Sequence, residues 1–304
     1  MKRLDAQEVQ DRIDAVRGLM LMRGNAAAAI PRLAQVLTDD PAPEVRQMAA
    51  VALGALGDGT AEALESIRAA ILKDDSDIVR GAAIRCLQPL GPRAKPAVPE
   101  LVRALADTNS GNRSDAALAL GWIRSDAEEA LPALAGVLRD AQQPTILRIN
   151  AAISLGRIGS AEAAQCLPDI VALVDSPDKH VRVGFIMAVS EFGPSAKSVA
   201  HQLTCYLSDP DPMVRTMAAG TFYDIGSPEL NDAIPILVAM LSDPDDGVRG
   251  NAALSLGAAV PAAIDALPAL RNLLSDPFPE VRARAEGAIQ SIEQPAREQE
   301  LGID

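Results

Sequence analysis

The chain has 304 residues and holds 28 lysines and arginines against 41 aspartates and glutamates, which gives a net charge of −13. This acidic balance argues against a nucleic-acid partner, because such a surface must displace cations from a phosphate backbone. No apolar run is long enough to span a bilayer, and residues 1–8 turn polar where a secretory signal would be apolar, so we expect a cytoplasmic protein without a membrane partner.

A Val-Arg pair, or a degenerate form of it, returns about every 34 residues along the chain. The pairs are Val45-Arg46, Val79-Arg80, Asn112-Arg113, Leu147-Arg148, Val181-Arg182, Val214-Arg215, Val248-Arg249 and Val281-Arg282. A period this steady indicates stacked supersecondary units and not one globular core. We expect a single solenoid over residues 1–304.

Four segments follow one another in this array. Residues 5–39 form a degenerate N-terminal unit, 40–276 hold the regular repeats, 277–293 form a C-terminal capping helix, and 294–304 form a polar tail.

Each repeat is predicted to contain two helices. In the seventh unit, Asp211 can cap a first helix, Pro212 suits its first position, and apolar residues recur at helical spacing until Gly226 ends it. A second helix with proline in its first turn then runs to Leu241. No segment alternates apolar and polar residues as a β-strand would, so the sequence predicts an all-α fold.

Alanine pairs occupy equivalent places in most first helices, where a larger side chain would push neighbouring helices apart. They are Ala49-Ala50, Ala82-Ala83, Ala116-Ala117, Ala151-Ala152, Ala218-Ala219 and Ala252-Ala253. We predict that they set the spacing between repeats.

The repeated unit reads Asp-Pro-x-x-x-Val-Arg-x-x-Ala-Ala-x-Ala-Leu-Gly-x-Ile-Gly, as from Asp40 to Gly57 and again from Asp243 to Gly257. This unit resembles the HEAT repeat, particularly the bacterial HEAT-like branch that includes phycobilin lyases. The resemblance implies a right-handed α-solenoid of about eight stacked two-helix repeats. It also implies that first helices line the convex side and second helices the concave side.

The same resemblance implies a protein-binding scaffold, although some relatives are enzymes, and we expect it to bind an unidentified partner protein through its second-helix face. Because nucleophile elbows, phosphate loops and dinucleotide fingerprints are absent from the sequence, we expect no enzymatic activity and no cofactor. The alternative is a lyase-like or lyase-chaperone role in chromophore attachment, which rests on kinship of the repeat alone. An iron-dependent hydroxylase of similar architecture has repeated His-Glu pairs, and this sequence has none. With two histidines, His180 and His201, a His-rich metal site is not expected.

The arginine row has two interpretations. It can present cations to an anionic ligand, or pair with aspartates of neighbouring loops such as Asp74, Asp175, Asp209 and Asp276; the family resemblance favours the pairs. The acidic loop 243–247 lacks the ligand order of a calcium-binding EF-hand and is predicted to cap a helix.

One thiol needs separate consideration. Cys205 lies four residues after His201, a spacing that permits contact on a helix and an activated nucleophile. No third group at a fitting spacing orients the histidine, so we favour an ordinary surface cysteine. The three cysteines, which include Cys86 and Cys166, have no paired spacing, and we expect neither a disulfide framework nor a zinc cluster.

Aromatic residues concentrate where the repeat pattern is broken. Phe185, Phe192, Tyr206, Phe222 and Tyr223 fall within a short span, and several replace alanine, leucine or glycine of the repeat. They form either a repacked core or a recognition patch, since aromatic side chains dominate binding hot spots. Trp122 occupies a position that varies among repeats and is predicted to be an exposed contact.

Two rows of the second helices form the more general candidate surface, because they share one helical stripe outside the leucine positions. The predicted partner-binding residues are Asp169, Ala172, Gln202, Cys205, Ile236 and Ala239, together with Trp122, Tyr206 and Tyr223. The stripe is mostly small and weakly charged from Gly136 to Ala269, so we expect a shallow groove that accepts a helix or an extended segment.

Overall fold

A computed structural model describes residues 2–21, 27–56, 60–226, 233–260 and 262–301. All regular secondary structure within these ranges is helical, which confirms the all-α prediction. The chain divides into two compact units, Met1–Ser160 and Ala161–Asp304.

Unit 1 consists of helical hairpins. Its helices are α1 (Val9–Leu21), α2 (Ile30–Asp39), α3 (Pro43–Leu56), α4 (Ala61–Lys73), α5 (Asp77–Arg85), α6 (Val98–Ala104), α7 (Ser110–Ile123), α8 (Leu131–Arg139) and α9 (Thr145–Ile158). The first helices α1, α3, α5, α7 and α9 each pack on the next, and the second helices α2, α4 and α6 do the same. This pairwise contact between neighbouring repeats is the arrangement of an α-solenoid.

Unit 2 follows the same plan with shorter second helices. Its helices are α10 (Ala161–Ala164), α11 (Leu167–Val171), α12 (Lys179–Ser190), α13 (Ala200–Leu203), α14 (Pro212–Ile225), α15 (Ile234–Met240), α16 (Asp246–Ala258), α17 (Leu267–Asn272) and α18 (Pro279–Leu301). The first helices α12, α14, α16 and α18 pack in succession. Helix α18 continues to Leu301, through most of the segment that the sequence predicted as a polar tail.

Helix ends are placed by the residues that the sequence indicated. The Asp211 side chain accepts a hydrogen bond from the Met213 amide, and Pro212 occupies the first turn of α14. Gly226 follows the helix with a φ of 54°, a backbone conformation that favours glycine. Asp245 likewise accepts from the Val248 amide at 3.0 Å, so the acidic loop at 243–247 caps a helix as predicted.

Small residues set the distance between successive first helices. The alanines at 49, 50, 116 and 117 are fully buried. A Cβ added to Gly54 would lie 2.4 Å from the Cys86 Cβ, and one added to Gly121 would lie 2.6 Å from the Ser154 Oγ. Both contacts are closer than atoms tolerate, so the glycine of the repeat permits an approach that alanine does not.

Buried hydroxyl groups join a first helix to the backbone of the preceding one. Ser154 donates to the Ala117 carbonyl at 2.7 Å, and Ser255 donates to the Ala219 carbonyl. Each hydroxyl is fully buried and would be costly without its acceptor. These hydrogen bonds help to fix the alignment of successive first helices, in addition to the apolar contacts between them.

Candidate functional site

The repeated arginines form ion pairs between repeats. The Arg46 Nε and Nη2 atoms donate to the Asp74 carboxylate at 2.8 Å each, while Nη1 donates to the Asp40 carbonyl at 3.0 Å. The same kind of carboxylate pair recurs at Arg12–Asp40, Arg80–Asp107, Arg182–Asp209, Arg215–Asp243 and Arg249–Asp276. The prediction of internal ion pairs is confirmed at these positions, and these guanidinium groups do not face an external anion.

Arg12 belongs to this row, although the sequence analysis did not include it. It lies 34 residues before Arg46, so the period itself was the signal that identifies it. Its Nε and Nη2 atoms donate to Asp40 at 2.7 and 2.9 Å. The N-terminal unit is therefore bonded to the next repeat like the regular ones.

At Asp74 and Asp276, the hydrogen bonds of the ion pair favour the ionised carboxylate. Burial by itself would raise the pKa of Asp74, but hydrogen bonds from Arg46 and from the Ser76 amide outweigh it, and the pKa lies below its usual value. At Asp276 the hydrogen bond from Arg249 is the largest influence and also lowers the pKa. The ion pairs are thus part of the folded state near neutral pH.

The row is interrupted in the second half of unit 1. Asp140 accepts from the Gln142 amide at 2.9 Å and from the Gln143 side chain at 3.0 Å, and not from an arginine. Arg113 donates through Nη1 to the Asp107 carbonyl, and its buried Nε has no hydrogen-bond partner within the described part of the chain. Arg148 donates to the Leu138 carbonyl. Among the described residues, the predicted arginine–aspartate pair is therefore absent at Arg113 and Arg148. It is also absent at Arg282, whose Nη1 donates to the Asp276 and Pro277 carbonyls.

Asp175 also departs from the prediction that it accepts an arginine. Its side chain is exposed, and it takes part in none of the ion pairs found among the described residues.

The predicted second-helix rows lie at the surface. In unit 2 we call them the stripe, and every one of its side chains is exposed or half-buried. The stripe consists of Asp169, Ala172, Gln202, Cys205, Ile236, Ala239, Ala269 and Asn272. A single residue of the stripe, Asp169, is charged, although the whole chain has a net charge of −13.

The matching rows of unit 1 have a different character. They include Arg32, Glu100 and Arg103. Arg32 forms an ion pair with Asp5, and Glu100 accepts both Nε and Nη2 of Arg68 at 2.9 Å. The weakly charged surface is thus a property of unit 2.

Cys205 has the environment of an ordinary surface thiol. Its Sγ donates to the Gln202 carbonyl at 3.6 Å, and partial burial raises its pKa, with smaller contributions from nearby aspartates. A raised pKa is the opposite of what an activated nucleophile needs. Burial raises the pKa of Cys86 to about 12, and Cys166 is buried as well.

The aromatic cluster separates into core and surface residues. Phe185, Phe192 and Phe222 are buried and form part of the core. Tyr206 is half-buried, and Tyr223 is 48% exposed on α14. The recognition-patch interpretation is therefore limited to the two tyrosines.

Trp122 is exposed, as predicted. Its side chain is 41% exposed on α7, and the Arg157 guanidinium lies 4.4 Å from the ring centroid. Trp122 and Tyr223 both lie on first helices, whereas the stripe lies on second helices. Within unit 2, Tyr223 thus lies on a different helix of its repeat from the stripe.

The described residues contain no group of three or more His, Cys, Asp or Glu side chains placed to hold a metal ion. Among them there is also no helix with the length and apolar character needed to cross a membrane.

Comparison with known proteins agrees with this geometry. The family model of HEAT repeats matches residues 1–88, 69–147, 168–257 and 234–301. The chain belongs to the HEAT-repeat family. HEAT repeats are mostly non-enzymatic scaffolding and generally mediate protein–protein interaction.

Two individual proteins are similar to this HEAT-repeat chain. Deoxyhypusine hydroxylase of Gallus gallus is 39% identical over 88 residues, which covers 29% of this chain and 28% of the hydroxylase. The crystal structure of an engineered protein, from the Northeast Structural Genomics Consortium, matches with a TM-score of 0.58 at 23% identity and covers 96% of this chain and 87% of that one. The second likeness shows the α-solenoid fold, and neither protein is named as a chromophore lyase.

Proposed function

We propose that this HEAT-repeat chain is a scaffold that binds a partner protein on the stripe of unit 2 and performs no chemistry of its own. The observation that supports the proposal most directly is the charge of the stripe. One of its eight residues is charged in a chain of net charge −13. Charged residues are depleted at the centres of protein interfaces, so such a surface suits a protein segment.

The arginine row and Cys205 also support a binding function, because neither is suited to hold or attack a substrate. Six of its arginines are bound to internal carboxylates, so they are not available to hold an anionic substrate. The thiol of Cys205 has a raised pKa and is not an activated nucleophile. The free cysteines, of which two are buried, fit a reducing compartment, and we place the scaffold in the cytoplasm.

The test is affinity purification from the source cell with the full chain and with the double variant Ala172→Glu, Ala239→Glu. Both alanines are exposed, so glutamate is tolerated by the fold but places charge in the middle of the stripe. The matched control is Ala283→Glu, an exposed alanine of the first helix α18. We expect the same partner with the unchanged chain and the control, and at least tenfold less with the double variant, which corresponds to about 1.4 kcal/mol.

Two results would contradict the proposal. One is full recovery of the partner by the double variant. The other is a purified chain that acquires visible absorbance when mixed with a bilin, which is the result that a lyase-like role predicts.

A further inference from the structure

Tyr223 stands on α14 at a position that other first helices fill with glycine. At Gly54, Gly121 and Gly257 a Cβ atom would lie 2.8 Å or less from the next first helix. The layer therefore has no room for an aromatic ring at this position. The Tyr223 side chain is accordingly directed out of the layer and is 48% exposed.

The tyrosine lines a groove that extends from α14 across α16 to α18 and has a volume of about 640 Å³. Leu254 and Ala258 of α16 give it an apolar floor. Gly287 of α18 also lines the groove, and a Cβ added there would meet nothing within 4 Å. Volumes of roughly 300 to 1,000 Å³ are those of small-ligand sites, so the space suits one long side chain better than a docked helix.

The single charged lining residue of this groove is Asp224, and none of the lining residues is basic. Asp224 is exposed, and its Oδ2 atom accepts a hydrogen bond from the hydroxyl of Ser190, the last residue of α12. Within the described ranges it forms no ion pair, and Oδ1 accepts no hydrogen bond. A carboxylate has about four acceptor sites, so most of the acceptor capacity of Asp224 remains for a ligand.

The combination of an aromatic ring and a carboxylate is specific to this groove. The groove between α3 and α5 in unit 1 has a volume of about 540 Å³ and holds Gly54 and Ala55 at the same two repeat positions. No aromatic or acidic residue is among those that line it. The repeat thus produces an open groove in both places, and Tyr223 and Asp224 give the one in unit 2 its chemical character.

We propose that the groove of unit 2 binds an arginine side chain of a partner protein. The guanidinium group donates hydrogen bonds to the Asp224 carboxylate and stacks on the Tyr223 ring, while the methylene stem lies on Leu254 and Ala258. Guanidinium and carboxylate groups match in shape and form paired hydrogen bonds. A cation within about 6 Å of an aromatic ring centre is attracted to the face of the ring.

This contact lies on first helices, whereas the stripe lies on second helices. It therefore goes beyond the binding surface proposed above. Either surface can fail its test without affecting the other, because the variants that probe them share no residue.

The test is a ligand-observed NMR titration of the full chain with acetyl-leucyl-arginine amide. The matched probes carry citrulline, which has the shape of arginine without its charge, or lysine. We expect saturable binding of the arginine peptide and about fivefold weaker binding of the citrulline peptide, because the ion pair is lost. The lysine peptide should bind about threefold more weakly, because a compact ammonium group neither forms paired hydrogen bonds nor stacks on the ring.

Two residues of the groove are tested with matched variants. Asp224→Asn should weaken binding of the arginine peptide about fivefold. Asp265→Asn removes the same charge from an exposed aspartate of unit 2 outside the groove and should have no effect. Tyr223→Ala should weaken binding about threefold, and Tyr223→Phe, which keeps the ring, should not.

A third substitution fills the groove. Gly287→Leu places a side chain in the open space and should abolish binding without harm to α18, because leucine has the higher helix propensity. Gly136→Leu is the control, since a Cβ at Gly136 of unit 1 also meets nothing within 4 Å. Circular dichroism of each variant verifies the helical fold.

Four results would overturn the proposal. The arginine peptide does not bind, or the citrulline or lysine peptide binds as tightly. Gly287→Leu folds and still binds. Asp265→Asn weakens binding as much as Asp224→Asn, in which case the peptide is attracted only by the overall negative charge of the chain.

Discussion

Two parts of the molecule follow the same repeat but differ in how strongly their neighbours constrain the residue type. One is the layer of contacts between successive first helices, and the other is the stripe on the second helices. In the layer, the glycine, the alanine pair and the arginine each have a neighbour that dictates them, such as Cys86 against Gly54 or Asp74 against Arg46. On the stripe, the equivalent positions vary among Asp169, Gln202 and Ile236 and remain exposed or half-buried. The comparison teaches that the HEAT signature describes how repeats join, while the surface that meets a partner lies outside it.

Acid should have the largest effect on the layer. The pKa values of Asp74, Asp107 and Asp276 lie below the ordinary value. A lowered folded-state pKa contributes stability that is present above the unfolded pKa, about 3.9, and is lost as the pH falls through the folded value. We expect helical content followed by far-UV circular dichroism to hold at about pH 5 and to fall below about pH 4. A profile that stays flat to about pH 2 would contradict the structural role of these pairs.

A single broken ion pair should have the next largest effect. Asp276→Ala leaves the Arg249 guanidinium, which is 11% exposed, without its carboxylate. We expect the free energy of unfolding, measured in urea, to fall by about 3 kcal/mol.

Asp140→Ala is the control for that measurement, since Asp140 accepts from Gln142 and Gln143 and from no arginine. Its loss should lower the free energy of unfolding clearly less than the broken ion pair does. Equal costs for the two variants would show that the arginine row does not join the repeats.

Two glycines should respond to alanine with opposite signs. Gly54→Ala places a Cβ 2.4 Å from the Cys86 Cβ and should destabilise the chain by about 2 kcal/mol. Gly136 lies in α8, on the second-helix row, and a Cβ added there meets nothing within 4 Å. Gly136→Ala should therefore stabilise by about 0.5 kcal/mol or more, because alanine has the higher helix propensity. Thermal unfolding measures both, and a stabilising Gly54→Ala would refute the close approach.

The smallest expected effect concerns how readily each of the three cysteines reacts with a thiol reagent. Cys205 lies on the exposed stripe, while Cys86 and Cys166 are buried. A thiol reagent should modify one thiol per folded chain and all three after unfolding. Rapid modification of Cys86 in the folded chain would show that the layer opens readily.

The sequence predicted the fold in detail because the interactions that define it are local or join adjacent repeats. The cap at Asp211 and the stop at Gly226 are encoded within a few residues. The arginine row was assigned correctly to ion pairs at Arg46, Arg80, Arg182, Arg215 and Arg249. The sequence did not reveal the interruption at Arg113, since the identity of the acceptor depends on how the loop after Asp140 folds.

The candidate site was predicted less completely. The second-helix rows were placed at the surface correctly, because helical periodicity decides which residues share a face. The sequence did not decide whether the aromatic cluster forms a repacked core or a recognition patch. In the structure Phe185, Phe192 and Phe222 are buried and belong to the core.

By itself the sequence determined the helical repeat, its period and the ends of most helices, because these follow from caps, glycines and apolar spacing within one unit. Only the tertiary structure decided where the arginine row is interrupted and which aromatic rings are buried. These properties depend on side chains that come from different repeats and meet only when the repeats stack. A repeated sequence therefore specifies its own packing well, and the exceptions to that packing have to be located in three dimensions.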